Sequence, residues 1–216
     1  MKPIHFILGA SILCVGLSAC RKEQSLADKQ REIETGKLDE TMTYTADEIG
    51  WSTTLPADWD VMSKKATQGL QEKGQQMIEK AAEGAVDVSK LKQLLNLRKD
   101  QFNTLLSTIE PYDETADGPW VEAHKGIIEL ITGSYAQAGV KMGQTKSGVE
   151  MLDGLEFQTW EAEVLHPSGK SVLIVQKMYS RLIHGYDFAV TLTTNNEKDR
   201  ETLTKMVQAF KFSKRP

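Results

Sequence analysis

Cysteine and histidine are scarce in this chain, with two and four in 216 residues, and no excess of positive charge accompanies them. The cysteine count excludes a disulfide scaffold and the cysteine-rich zinc modules. His124, His166 and His184 lie far apart with no HExxH motif, which leaves zinc without a ligand pattern. With 26 basic against 30 acidic residues, the chain lacks the clustered cations that phosphate backbones require, which sets nucleic acid aside. No GxSxG elbow occurs. "GKS" at 169–171 is not a phosphate loop, because Val164 stands where the Walker glycine belongs and a strand pattern follows. After the first 19 residues no apolar run approaches the ~20 residues that span a bilayer.

What is present begins with residues 1–19, "MKPIHFILGASILCVGLSA": a lone Lys2, an apolar stretch from Ile4 to Leu17, then small Ser18 and Ala19. This is the layout of an export signal, and the run is too short for the alternative, a spanning anchor helix. Leu17-Ser18-Ala19-Cys20 resembles the lipobox of bacterial lipoproteins position by position. The resemblance implies cleavage between Ala19 and Cys20 and attachment of palmitate and further acyl chains at Cys20, since one chain alone anchors only marginally. Arg21, in place of the aspartate that retains such proteins at the inner membrane, implies the periplasmic face of the outer membrane. In a host with a single membrane its outer face takes that role. Cys14 leaves with the signal, so the mature chain has no cysteine pair.

Residues 20–40 are expected to be the lipidated N-terminus and a solvated charged tether, since Leu26, Ile33 and Leu38 make a poor apolar stripe. Extended, such a tether reaches at most about 70 Å, and as a coil roughly 25 Å. One domain is expected over 41–213. Met42 and Tyr44, then Trp51, Thr53 and Leu55, alternate as two strands across "ADEIG", and Trp59 and Val61 begin a further extended piece. Helices are predicted over 64–84 and 90–109, the second capped by Ser89 and ended by Pro111, and from Pro119 to Gly139, burying Trp120, Ile127, Ile131 and Tyr135. "LEFQTWEAEVL", "KSVLIVQKMY" and "YDFAVTLTT" predict a meander, the last strand with one buried face. A helix capped by Asn195 or Asn196 closes the chain. The order predicts an α+β domain, an antiparallel sheet covered by helices.

Gly50-Trp51, Pro56 and Trp59 in "DEIGWSTTLPADW", with the ending "YDFAVTLTTNNEKDRETLTKMVQAFKF", resemble PsbP-like and DcrB-like domains. That resemblance implies an α-β-α sandwich and a binding or assembly role in place of catalysis, with an envelope protein as partner. The chain departs from the family pattern in a helical hairpin inserted at about 64–110. The other reading is a small-molecule or lipid carrier, or a hydrolase, with a cleft between the sheet and the inserted helices.

No catalytic residue, metal ligand set or cofactor motif stands out. Glu161 and Glu163 on one strand face form either an acid/base or cation site or a solvated sheet face. Asp113, Glu114 and Asp117 form either a calcium loop or an exposed turn, without EF-hand spacing. Trp51, Trp59, Trp120 and Trp160 read first as core, and Trp59 and Trp120, where exposed, would make a binding surface.

Overall fold

Alternating apolar residues over most of the second half of the chain build one large antiparallel sheet, and everything else packs on its two faces. The computed structural model describes residues 24–81 and 87–213, so the signal and Cys20 lie outside the described residues. In chain order the elements are helix α1 (Leu26–Glu32), strands β1 (Lys37–Leu38), β2 (Thr43–Ala46), β3 (Trp51–Thr54) and β4 (Asp60–Val61), and helix α2 (Lys64–Ala81). Strands β5 (Lys92–Gln93), β6 (Leu97–Arg98) and β7 (Thr104–Pro111) follow, then helices α3 (Glu114–Asp117) and α4 (Trp120–Gln137). The chain ends with strands β8 (Met142–Leu152), β9 (Leu155–Leu165), β10 (Val172–Ile183) and β11 (Tyr186–Thr194), helix α5 (Glu197–Gln208) and strand β12 (Lys211–Phe212). The large sheet has the order β4-β6-β7-β11-β10-β9-β8, with β5 also on β7, and a small sheet has the order β1-β2-β3-β12.

Two tight turns set the meander's register. Asp153-Gly154 and His184-Gly185 all have positive φ, 47°, 77°, 52° and 77°, the handedness of hairpin turns whose twist matches that of the strands. One face of the large sheet carries Leu105, Ile109, Phe157, Tyr179, Phe188, Val190 and Leu192, all buried under the small sheet and under Leu203, Val207 and Phe210 of the α5 region. The other face meets α4 through Trp160, Ala162, Met178 and Ala189 against Ile127, Ile131 and Tyr135. Helix α2 packs outside α4. Asn196 caps α5, accepting from the Asp199 amide at 3.0 Å. The α+β class is as expected, with helices over one face of the sheet and the small sheet with α5 over the other.

Three expectations are corrected. Residues 90–109 are not a helix: β5, β6 and the start of β7 run through them, and the inserted segment is the single helix α2 rather than a helical hairpin. Leu105, Leu106 and Ile109 mimic a helical stripe because β7 is central and buried on both faces, which erases the two-residue alternation. Strand β11 is likewise buried on both faces, with Asp187, Ala189, Thr191 and Thr193 beneath α4. The third concerns residues 20–40, because the part from Gln24 onward is domain and not tether. Ile33 and Leu38 are buried in the main core, Lys29 is buried and donates to the Trp59 carbonyl at 3.1 Å, and Glu32 accepts from the Lys64 amide at 2.8 Å. Strand β1 then pairs with β2. Few apolar residues suffice there because the lysine stem covers apolar surface while its ammonium finds a carbonyl.

Ile33→Ala is therefore expected to lower the unfolding free energy by roughly 2–5 kcal/mol in a urea titration. An unchanged midpoint would return this segment to the status of a tether.

Candidate functional site

The face of the sheet beneath α4 is where polar groups are concentrated in the interior. Pleating sends Thr104, Leu106, Thr108 and Glu110 of β7 to this face, with Asp187, Ala189, Thr191 and Thr193 of β11 and Gln176, Met178 and Ser180 of β10. Cross-strand pairing arranges them in rows. Glu110 lies opposite Asp187, Thr108 opposite Ala189 and Ser180, Leu106 opposite Thr191 and Met178, and Thr104 opposite Thr193 and Gln176. Glu110 and Asp187 are 3% and 2% exposed, a placement that carboxylates reach only with partners.

Helix α4 lies along these rows. The Tyr112 hydroxyl donates to the Gly118 carbonyl at 3.0 Å and the Trp120 amide donates to Glu114 Oε1 at 3.0 Å, which starts the helix beside the Glu110–Asp187 end. At the other end the Tyr135 hydroxyl donates to Gln176 Oε1 at 2.5 Å, and Gln176 Nε2 donates to Thr193 Oγ1 at 3.3 Å. Burial pushes the Tyr135 hydroxyl up to about 12, even against the Gln176 bond, so it stays a donor. Tyr135, Gln176 and Thr193 thus form one hydrogen-bonded chain there, beside an unpaired Thr104 Oγ1.

The acidic end is less well satisfied. His124 is buried, and desolvation pushes its pKa down to about 4, so its imidazole is neutral at physiological pH. Its ring stacks on Trp120 at 5.2 Å with 17° between planes. Neither His124 Nδ1 nor Trp120 Nε1 has a hydrogen-bond partner, and Ser180 Oγ and Thr191 Oγ1 on the sheet are equally unpaired. Each such group costs about 1–3 kcal/mol. The seam therefore holds α4 less firmly than its area suggests. A neutral imidazole can accept a proton, yet α4 closes over the layer. A recess elsewhere, beside Glu32, Met62, Lys64 and Gln93, has a volume of about 10 Å³, room for roughly one water.

The residues singled out from the sequence fall elsewhere or into structural roles. Trp59 and Trp120 are 1% and 6% exposed, so neither makes a binding surface: Trp59 belongs to the main core and Trp120 to the polar seam. Asp113 caps α3 by accepting from the Thr115 amide at 2.9 Å, and Asp117 accepts from the Asp113 amide at 3.1 Å. Glu163 accepts from the Gln144 amide at 3.0 Å, and Glu161 stands opposite Lys177 and Lys146. Among the described residues no three His, Cys, Asp or Glu side chains converge as a metal site. Sequence reasoning missed Glu110, Asp187 and Ser180. The signal for His124 was its position four residues after Trp120 on the buried face of α4.

No model of a protein family and no curated protein matches the chain. Among solved structures the chain is similar to the solution structure of cyanobacterial PsbP (CyanoP) from Synechocystis sp. PCC 6803. That match has 15% identity and a TM-score of 0.48, and covers 83% of this chain and 98% of that one. The α+β class rests on the chain's own sheets and helices.

Two outcomes follow for the seam. Thr191→Val exchanges an unpaired hydroxyl for a methyl and is expected to stabilise by about 1 kcal/mol, raising Tm by a few degrees. A lower Tm would mean that the hydroxyl has a partner. For His124 the folded pKa of about 4 lies below the ordinary 6.5, so the unfolded chain binds the proton first as pH falls. The stability tied to this group is complete above pH 6.5 and is lost between pH 6.5 and 4, by a total on the order of 3 kcal/mol. His124→Gln should flatten that part of the stability profile, whereas parallel profiles for the two proteins would contradict the buried neutral imidazole.

Proposed function

We propose that this chain is a lipid-anchored envelope protein that works by binding a protein partner and not by catalysis. Cys20 carries the acyl chains, and the outer membrane, periplasmic face, is the location. The observation that carries this reading is the Leu17-Ser18-Ala19-Cys20 match placed directly before a folded domain. The resemblance of the opening and closing motifs to PsbP-like domains, a group of binding and assembly factors, supports the binding role. So does the structural use made of the carboxylate clusters. Among the described residues no helix is long and apolar enough to cross a membrane.

The early start of the domain changes the expected geometry at the membrane. Gln24 is clasped to β4, its Nε2 donating to the Val61 carbonyl at 3.0 Å and its Oε1 accepting from the Val61 amide at 2.9 Å. Between Cys20 and Gln24 lie three residues, a reach of at most about 14 Å when extended. An acylated Cys20 therefore holds the domain against the headgroups, and the partner is met at the membrane surface. Helix α2, the outermost layer, is the segment offered to it.

The second reading, a small-molecule or lipid carrier or a hydrolase, draws on the unpartnered polar atoms between α4 and the sheet. Crosslinking in cells followed by mass spectrometry separates the two readings. One dominant envelope protein joined through α2 is the expected result. Scattered neighbours, together with a thermal shift on adding a metabolite or lipid, would favour the carrier. For the anchor, Cys20→Ala is expected to abolish palmitate labelling and release a folded protein from the membrane fraction. Retention as an integral membrane protein would move the anchor to residues 4–19 and end the lipoprotein reading.

A further inference from the structure

We propose that strand β8 is the self-association edge of this protein, pairing antiparallel with β8 of a second copy about a twofold axis at Gly148. Strand β8 is the last strand of the large sheet, joined to β9 along one side and to no described strand along the other. It is 11 residues long, contains no proline, and every residue from Gly143 to Val149 is exposed. Val149 and Met151 lie on the sheet face that carries Trp160 and α4, but past the reach of the helix, where they are 52% and 62% exposed. Long unprotected edges of this kind pair with other strands unless something prevents it.

The identity of the partner strand comes from two conditions that select the same register. The first is backbone direction. The turn at Asp153-Gly154 closes on a hydrogen-bonded pair, Leu152 with Leu155, so Glu150, Gly148 and Lys146 direct their amides and carbonyls to β9. Thr145, Ser147, Val149 and Met151 direct theirs outward. A second strand can bond only if its own outward residues stand opposite these. The second condition is charge. A lysine on an edge strand ordinarily repels a second strand, but here Glu150 lies four residues beyond Lys146. In the antiparallel register centred on Gly148, Lys146 of each copy faces Glu150 of the other, twice. The same register sets Ser147 opposite Val149 and Thr145 opposite Met151, all outward-directed. Shifting the register by two residues in either direction keeps the hydrogen bonds but separates the charges.

The chemistry of Glu150 fits this use. Its Oε1 accepts from Lys177 at 2.6 Å, and Lys177 Nζ also stands 4.9 Å over the Tyr179 ring, which holds the carboxylate in place on its sheet face. A second cation from the facing strand completes the pair. Gly148 at the axis leaves room for the two strands at their closest approach. The proposal holds whether or not Cys20 is acylated.

Sedimentation of the full chain in density-matched detergent tests it. The wild type is expected at twice its monomer mass. Lys146→Glu alone and Glu150→Lys alone each set like charges face to face and are expected to weaken association at least about tenfold, whereas mixing the two variants restores a dimer because opposite charges meet again. Val149→Pro removes an outward donor without touching the β9 ladder, and is expected to be a folded monomer. A wild type that stays monomeric up to millimolar concentration would overturn the proposal. So would a dimer that neither charge variant weakens, or a mixture that fails to associate.

Discussion

The contact on which the rest of the fold depends is the one Trp51 makes with three other rings. Its indole is fully buried, 5.3 Å from Tyr44 on β2, 5.1 Å from Phe188 on the large sheet and 5.0 Å from Phe210 after α5. Three parts of the chain, the β2–β3 hairpin, β11 and the segment after α5, therefore meet at one side chain. Aromatic contacts of this kind add about 0.5–1.5 kcal/mol per pair to the burial of the ring. The preceding glycine is needed for the same junction. Gly50 has φ 64°, and a side chain there would collide with the Ser213 carbonyl, where the Ser213 amide donates back to the Gly50 carbonyl at 2.8 Å. Gly50-Trp51 thus closes the small sheet over the large one.

The two faces of the large sheet are held by different physics. On the Trp51 side the layer is mainly apolar and continuous from α1 to β12, with Trp51 Nε1 and Thr53 Oγ1 as unpaired polar atoms within it. On the α4 side a small apolar cluster is bordered by threonines, Ser180, Gln176, Glu110 and Asp187, with several hydroxyls and His124 Nδ1 unpaired. Loss of hydrogen bonds there offsets part of what burial contributes. The helical layer of α4 and α2 is accordingly the part of the domain that can loosen without dissolving the core, and it is also the layer farthest from the Trp51 junction. A layer of lower local stability of this kind is the part of a domain that opens first.

Much of this architecture is legible in the sequence, and the failures share one cause. Strands β2, β3, β9, β10 and β11, α4 and α5 follow from alternation, Pro119 and Asn196. Strand β7 reads as a helix because a central strand buried on both faces loses its period. Strand β8 is passed over because Val149 and Met151 are the only large apolar residues in "GQTKSGVEM", too few for an alternation to show. Residues 24–38 read as a tether because the burial of Lys29 and the hydrogen bond to Glu32 depend on Trp59 and Lys64, more than 25 residues away. At the site, Trp120 and Tyr135 are visible from helical spacing. Asp187 is not, because a strand with Phe188, Val190 and Leu192 on one face gives no sign that its polar face is covered too. In each case burial is decided by a distant segment, which local pattern does not encode.

The inequality of the two faces is tested most directly by native-state hydrogen exchange. Amides of α4 and α2 are expected to exchange through a partial opening of lower free energy than global unfolding, while those of β3, β11 and α5 exchange only with the whole domain. If α4 amides showed the full unfolding free energy and the same denaturant dependence as β3, the polar seam would be as strong as the aromatic core, and the loosened helical layer would have to be abandoned.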